Sequence, residues 1–120
     1  MGKALSWGPA DREALLAFYG DLPAETTRSF VVWLDGQPAG VIGVAISRGY
    51  ATLFSDISPA LEPHLRSMPV MRAVRAAITM AKRTGLTLMA FAEQCGGEAI
   101  LQREGFEADS EPGWWRWDPY

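Results

Sequence analysis

Cysteine and histidine occur once each in 120 residues, as Cys95 and His64. A lone cysteine closes no internal disulfide, and one residue of each kind gives no ligand spacing, so no metal site is expected. The chain also lacks an amino-terminal signal pattern and any apolar run long enough to cross a bilayer, which makes a cytoplasmic protein with no membrane partner the expectation. Broad basicity is missing too. Eleven Lys and Arg against 14 Asp and Glu leave a formal net charge of −3, which excludes general nucleic-acid binding through neutralised phosphates. Repeats, linkers and low-complexity tracts are absent. What remains is 48% apolar and 21% charged residues, the balance of a folded domain, and the length suits one domain over residues 1–120 with a single core.

The most informative absence is local. Between Glu62 and Glu93 there is no carboxylate, while the same interval carries Arg66, Arg72, Arg75, Lys82, Arg83 and His64. Any anion site in this acidic chain must be local.

Periodicity supplies the surrounding elements. In GPADREALLAFYGDLP, helical spacing of Leu15, Phe18, Tyr19 and Leu22 predicts a short amphipathic helix, with Pro9 in its first turn and Gly20 and Pro23 at its exit. RSFVVWL, PAGVIGVAIS and YATLFSDI follow as three strands of an antiparallel meander, joined by the tight-turn pairs Asp35-Gly36 and Arg48-Gly49. Gly40 and Gly43 within the middle strand indicate close packing or a bulge. After a turn-rich connection, PVMRAVRAAITMAKRTG is the clearest helix, apolar along Val70, Val74, Ala77, Ile78 and Ala81, polar along Arg72, Arg75, Thr79, Lys82 and Arg83, and capped by Gly85. The continuous run LTLMAFA reads as a strand covered on both faces, which makes the long helix a parallel crossover. A short helix in GGEAILQREGF, closed by Gly105, and a hairpin in FEADSEPGWWRW complete an α+β class with a mixed, mostly antiparallel sheet.

Ligands of such sheets gather beyond the carboxyl ends of adjacent parallel strands, beside the start of the crossover helix. The cation-rich stretch EPHLRSMPVMRAVR sits at that place. Acids are normally favoured in a helix's first turn by roughly 0.3–1 kcal/mol, because its N–H groups are unpaired and its dipole is positive there. Here the first turn has none; Arg66 precedes it and Arg72 lies in it. Two readings follow: a seat for a phosphate, or a solvated basic face.

The order of elements, the crossover and the ending AEQCGGEAILQREGFE together resemble the GNAT superfamily of N-acetyltransferases, from about Arg28 to Trp117. The resemblance implies an acyl-CoA N-acyltransferase fold and acetyl-CoA, or a related acyl-CoA, as co-substrate. It further implies cofactor contacts along Arg66, Ser67, Met68, Val70, Met71 and Arg72, in place of the family pattern Arg/Gln-x-x-Gly-x-Gly/Ala. The Arg is retained and both small positions are replaced, by Pro69 and Met71. Proline has no N–H to offer a pyrophosphate, so side-chain contacts from Arg66, Arg72 and Ser67 would have to compensate. A tyrosine is usual in the family five residues before the phenylalanine of the Gly-Phe ending; in ILQREGFE that position is Leu101, so the usual acid for the departing thiolate is missing.

Acyl transfer also needs a polarised thioester carbonyl and a neutral amine. The resemblance assigns the first to a backbone amide near Ser55 to Ile57; Asp56 and Glu93, at the ends of two strands, are candidate bases, or plain strand-end acids. Cys95 has no histidine partner and reads as a loop residue. The WWRW segment offers Trp114, Trp115 and Arg116 as a substrate or partner surface, or as core packing and cover for a sheet edge. The amine acceptor is unidentified and could be a protein, and an exposed sheet edge could pair two copies as a homodimer. A catalytically inactive GNAT-like binding protein is the alternative, since short, motif-poor chains of this kind resemble phage- and prophage-encoded ones.

Overall fold

The computed structural model describes residues 4–22, 27–92 and 97–119. Seven strands form one mixed sheet in the order β1-β2-β3-β4-β5-β7-β6. They are β1 (Leu5–Pro9), β2 (Thr27–Leu34), β3 (Gln37–Ser47), β4 (Tyr50–Ile57), β5 (Thr87–Phe91), β6 (Glu107–Ala108) and β7 (Trp114–Trp117). Three α-helices accompany them: α1 (Arg12–Tyr19), α2 (Met68–Lys82) and α3 (Gly97–Arg103). Among the described residues no helix is long and apolar enough to cross a membrane.

The predicted meander is present. β2, β3 and β4 pair antiparallel in sequence, and β4 pairs parallel with β5 across the α2 crossover. One register shift falls between Val32 and Trp33, opposite Gly40 and Pro38, so the bulge expected at the glycines lies beside Gly40. A methyl group on Gly40 would stand 2.7 Å from Leu61 Cδ2, and one on Gly43 would collide with the backbone of Arg28 and Ser29. Both glycines are therefore sites of close approach.

Side-chain alternation assigns the two faces of the sheet. Val32, Ile42, Val44, Ala51, Leu88 and Trp115 point to one face, where α2 inserts Val70, Ala73, Ala77, Ile78 and Ala81. Each of these α2 residues is at most 2% exposed. Val31 and Val41, fully buried, belong to the other face, which α1 covers with the buried Ala14. α1 is short and self-contained: the Asp11 carboxylate caps it by accepting the Ala14 N–H at 2.7 Å, and Gly20 ends it at φ 78°.

Four local expectations are corrected. Pro9 closes β1, a strand the sequence pattern does not reveal, and is not part of α1. Gly85 is not the cap of α2; that position is Arg83, and Gly85 follows it at φ 73°. Lys82 leaves the solvated face of α2, donates to the Glu104 carbonyl at 2.5 Å, pairs with the Glu104 carboxylate at 3.5 Å and lies 5.3 Å from the centre of the Trp117 ring. β5 is covered on one face only: Leu88 and Ala90 are buried under α2, whereas Phe91 on the α1 side is 45% exposed. α1 packs against β3, two strands away from β5 in the sheet.

Candidate functional site

The parallel pairing of β4 with β5 runs from Tyr50↔Thr87 to Leu53↔Ala90 and stops there. β4 continues to Ile57, and β5 ends at Phe91. Past Leu53, β4 has no strand neighbour on its β5 side among the described residues, so the sheet opens into a cleft along Phe54–Ile57. In a β-strand, backbone N–H groups on such an unpaired side are available to a ligand. Alternation sends Ser55 and Ile57 to the α2 face and Phe54 and Asp56 to the α1 face.

At the α2 face of this cleft stands the start of α2. Its N-cap is Ser67, whose backbone has the extended geometry of a cap but whose hydroxyl makes no capping bond. Ser67 Oγ is buried and has no hydrogen-bond partner among the described residues. The first turn contains no acid and has Pro69 as its second residue. Met71 N–H donates to the Ser67 carbonyl at 3.0 Å, while the N–H groups of Met68 and Val70 have no backbone acceptor among the described residues. Val70 itself is core, 2% exposed, and Met68 is 62% exposed. Arg66 and Arg72 are exposed, and neither pairs with a carboxylate among the described residues. Two N–H groups and one orphaned hydroxyl thus lie at an acid-free helix start, with Arg66 just before the N-cap and Arg72 one turn into the helix and not in its first turn as the sequence pattern predicts, a set of donor residues that fits a phosphate or pyrophosphate. The half-buried side chains of Pro69 and Met71 occupy the positions where the resemblance expects small residues.

The α1 face holds a contact that the sequence does not announce. Tyr19, the last residue of α1, donates its hydroxyl to Asp56 Oδ2 at 2.6 Å. Burial of the ring, and then the hydrogen bond and charge of Asp56, push the Tyr19 phenol well above its usual range. Beside this pair lies an open groove of about 600 Å³ whose lining includes Tyr19, Asp21, Tyr50, Thr52, Phe54 and Asp56. A second hollow, about 370 Å³, sits at the other end of β5 against Gly49, Thr87 and Asp118, away from the start of α2.

The remaining predicted residues separate. Glu93 and Cys95 lie outside the described residues. Trp115 is 8% exposed and packs in the core with Leu88, Leu101 and Phe106, so it does not form a substrate or partner surface. Trp114 is half-buried on the α1 face and tilts against Phe91 at 5.2 Å between ring centres. Arg116 is held by Asp118 at 3.1 Å; the Thr87 hydroxyl and then Arg116 keep the Asp118 carboxyl below its usual range. Leu101, where a tyrosine is usual in the resembled family, is buried at 8%.

A meander, a crossover helix and a sheet that parts beside the helix start make up the fold of the GNAT N-acetyltransferases, and this chain has that fold. No protein-family model matches the sequence, and no curated protein matches it. Solved structures do. An N-acetyltransferase from Staphylococcus aureus Mu50 superposes with a TM-score of 0.64 at 12% identity, over 98% of this chain and 99% of that one. The ribosomal-protein-S18-alanine N-acetyltransferase from Escherichia coli gives 0.62 at 17% identity, over 89% of this chain and 80% of that one. A GNAT family acetyltransferase from Brucella melitensis, in complex with acetyl-CoA, gives 0.61 at 14% identity, over 96% and 88%. At such identities the likeness is one of fold.

Proposed function

We propose that this protein is an acyl-CoA-dependent N-acetyltransferase that moves an acetyl group from acetyl-CoA to an amine. The observation that carries the reading is the cleft past Leu53 and Ala90, opening beside a helix start that has no acid, no side-chain cap and an orphaned Ser67 hydroxyl. The pantetheine arm would lie along the free side of Phe54–Ile57, where a backbone N–H near Ser55 to Ile57 polarises the thioester carbonyl. The phosphates would meet Arg66, Arg72, Ser67 Oγ and the N–H groups of Met68 and Val70. Asp56 is the acid that alternation sends into the groove beside the cleft, and it accepts the proton of the attacking amine directly or through water. A carbon–nitrogen bond forms, the carbon–sulfur bond breaks, and the CoA thiolate takes its proton from solvent, because buried Leu101 has none to give.

Titration of the purified protein with acetyl-CoA and with CoA, followed by calorimetry, tests the proposal. Saturable binding is expected, weakened about tenfold or more in both Arg66→Ala and Arg72→Ala. A folded protein that binds neither ligand at millimolar concentration overturns it. Turnover is then read against a panel of amines.

A second reading rests on Pro69 and Leu101. The first removes an N–H from the phosphate seat and the second removes the usual acid, as expected of a GNAT-fold binding protein that retains the architecture without catalysis. CoA binding without turnover of any amine favours it. In either case the protein would work in the cytoplasm.

A further inference from the structure

The groove on the α1 face has a composition that specifies its ligand further. Its described lining contains two carboxylates, Asp21 and Asp56, and no Lys, Arg or His. Among the described residues, Asp21 engages one oxygen, which accepts the Leu22 N–H at 2.8 Å, and Asp56 likewise uses one, Oδ2, for Tyr19. Each carboxylate therefore keeps an oxygen for a second donor. The same lining carries the rings of Tyr19, Tyr50 and Phe54 and the side chain of Leu22, beside Thr27, Ser47 and Thr52, with Tyr19, Leu22 and Tyr50 37%, 37% and 46% exposed. Exposed aromatic rings beside unpaired carboxylates match a small organic cation, whose charge meets the oxygens and whose carbon body covers the rings. The groove also reaches the cleft, since Phe54 and Asp56 belong to the part of β4 that has left β5.

We infer that this groove is the acceptor subsite and that its substrate class is a small primary arylalkylamine, bound as the ammonium ion at Asp56 with its ring against Tyr19, Tyr50 and Phe54. As an acceptor subsite it rests on the acyl-transfer reading above, although the binding itself does not. The Tyr19 hydroxyl acts as a positioning group: by occupying Oδ2 it fixes the Asp56 carboxylate and leaves Oδ1 for the ammonium. The ammonium held by Oδ1 first gives one proton to that oxygen, which relays it to water; the neutral amine then attacks the thioester and passes its second proton to the same carboxylate as the carbon–sulfur bond breaks. An anionic acceptor would meet two like charges, and a neutral isostere would leave the ion pair unmade.

The test uses 2-phenylethylamine, 2-phenylethanol and phenylacetate, titrated into the full chain without CoA and followed by saturation-transfer NMR. The amine should bind saturably, about tenfold or more tighter than the alcohol, with phenylacetate weakest. Asp56→Asn, which keeps an acceptor for Tyr19, should remove most of that preference. Phe54→Ala should weaken amine and alcohol alike, and Arg66→Ala should change neither. Equal binding of amine and alcohol, no loss in Asp56→Asn, or no amine binding by a folded protein each overturns the inference. Amine binding without CoA binding keeps the groove and removes the acyl-transfer reading; CoA binding without amine binding does the reverse.

Discussion

Tyr19 and Asp56 are joined by a 2.6 Å hydrogen bond across 37 residues of sequence, linking the end of α1 to the part of β4 that borders the cleft. Both helix position and strand register converge on this bond, and its protonation state is set by the fold. The Tyr19 phenol holds its proton above the ordinary tyrosine value of 10.0 because its partly covered ring and the Asp56 charge both disfavour phenolate. A group whose pKa is higher folded than unfolded contributes stability that is complete below the unfolded value and is lost as pH rises through the folded one. Thermal midpoints of the wild type should therefore fall as pH climbs above about 10, and those of Tyr19→Phe should fall less steeply. Phenolate absorbance should show the late-titrating tyrosine disappearing in the variant.

Ser67→Ala separates stability from affinity. The Ser67 hydroxyl is buried without a partner among the described residues and does not cap α2. Its removal should leave the ligand-free protein unchanged or up to about 1 kcal/mol more stable in urea, since an unsatisfied buried group is a net cost. Affinity for CoA should nevertheless drop several-fold, about 1 kcal/mol, through the lost phosphate contact.

Gly43→Ala should lower the unfolding free energy by about 1–3 kcal/mol. The added methyl would run into the Arg28 carbonyl and the Ser29 backbone on β2, and paired strands cannot part locally without breaking their hydrogen bonds. Gly36→Ala makes the contrast: it has open space but a φ of 81°, so its loss reflects turn strain alone. Circular dichroism melts of the two variants distinguish collision from strain.

Lys82 ties the end of α2 to α3 and β7 through Glu104 and the Trp117 ring. Lys82→Glu should cost about 1–3 kcal/mol, because it sets a carboxylate against both the Glu104 carboxylate and carbonyl. Lys82→Met keeps the apolar stem over Trp117 and should cost about 1 kcal/mol or less. Urea unfolding midpoints decide the order.

The meander, the crossover helix and the final hairpin are legible in the sequence because each carries its own periodicity and turn residues. β1 is not: Leu5–Pro9 contains a glycine and a proline in five residues, and it is a strand only because β2 lies beside it. The basic start of α2 is legible as a stretch without acids, yet its burial of Ser67 Oγ is a product of packing. Alternation separates Trp114 from Trp115 in advance, but which of the two faces receives a helix depends on where α2 lands. Tyr19 reads as an apolar helix position; its partnership with Asp56 needs the strand register to be known.

Among the described residues, four residue pairs and the packing of α2 and its neighbours hold β1 through β4 to the β5, β7 and β6 portion of the sheet. That seam joins two leaves of the sheet, with its unpaired end at Phe54 and its paired end at Tyr50. Slow amide exchange in each leaf would then report on the other, because an occupant wedged between Phe54–Ile57 and β5 would stitch the leaves together and damp their opening.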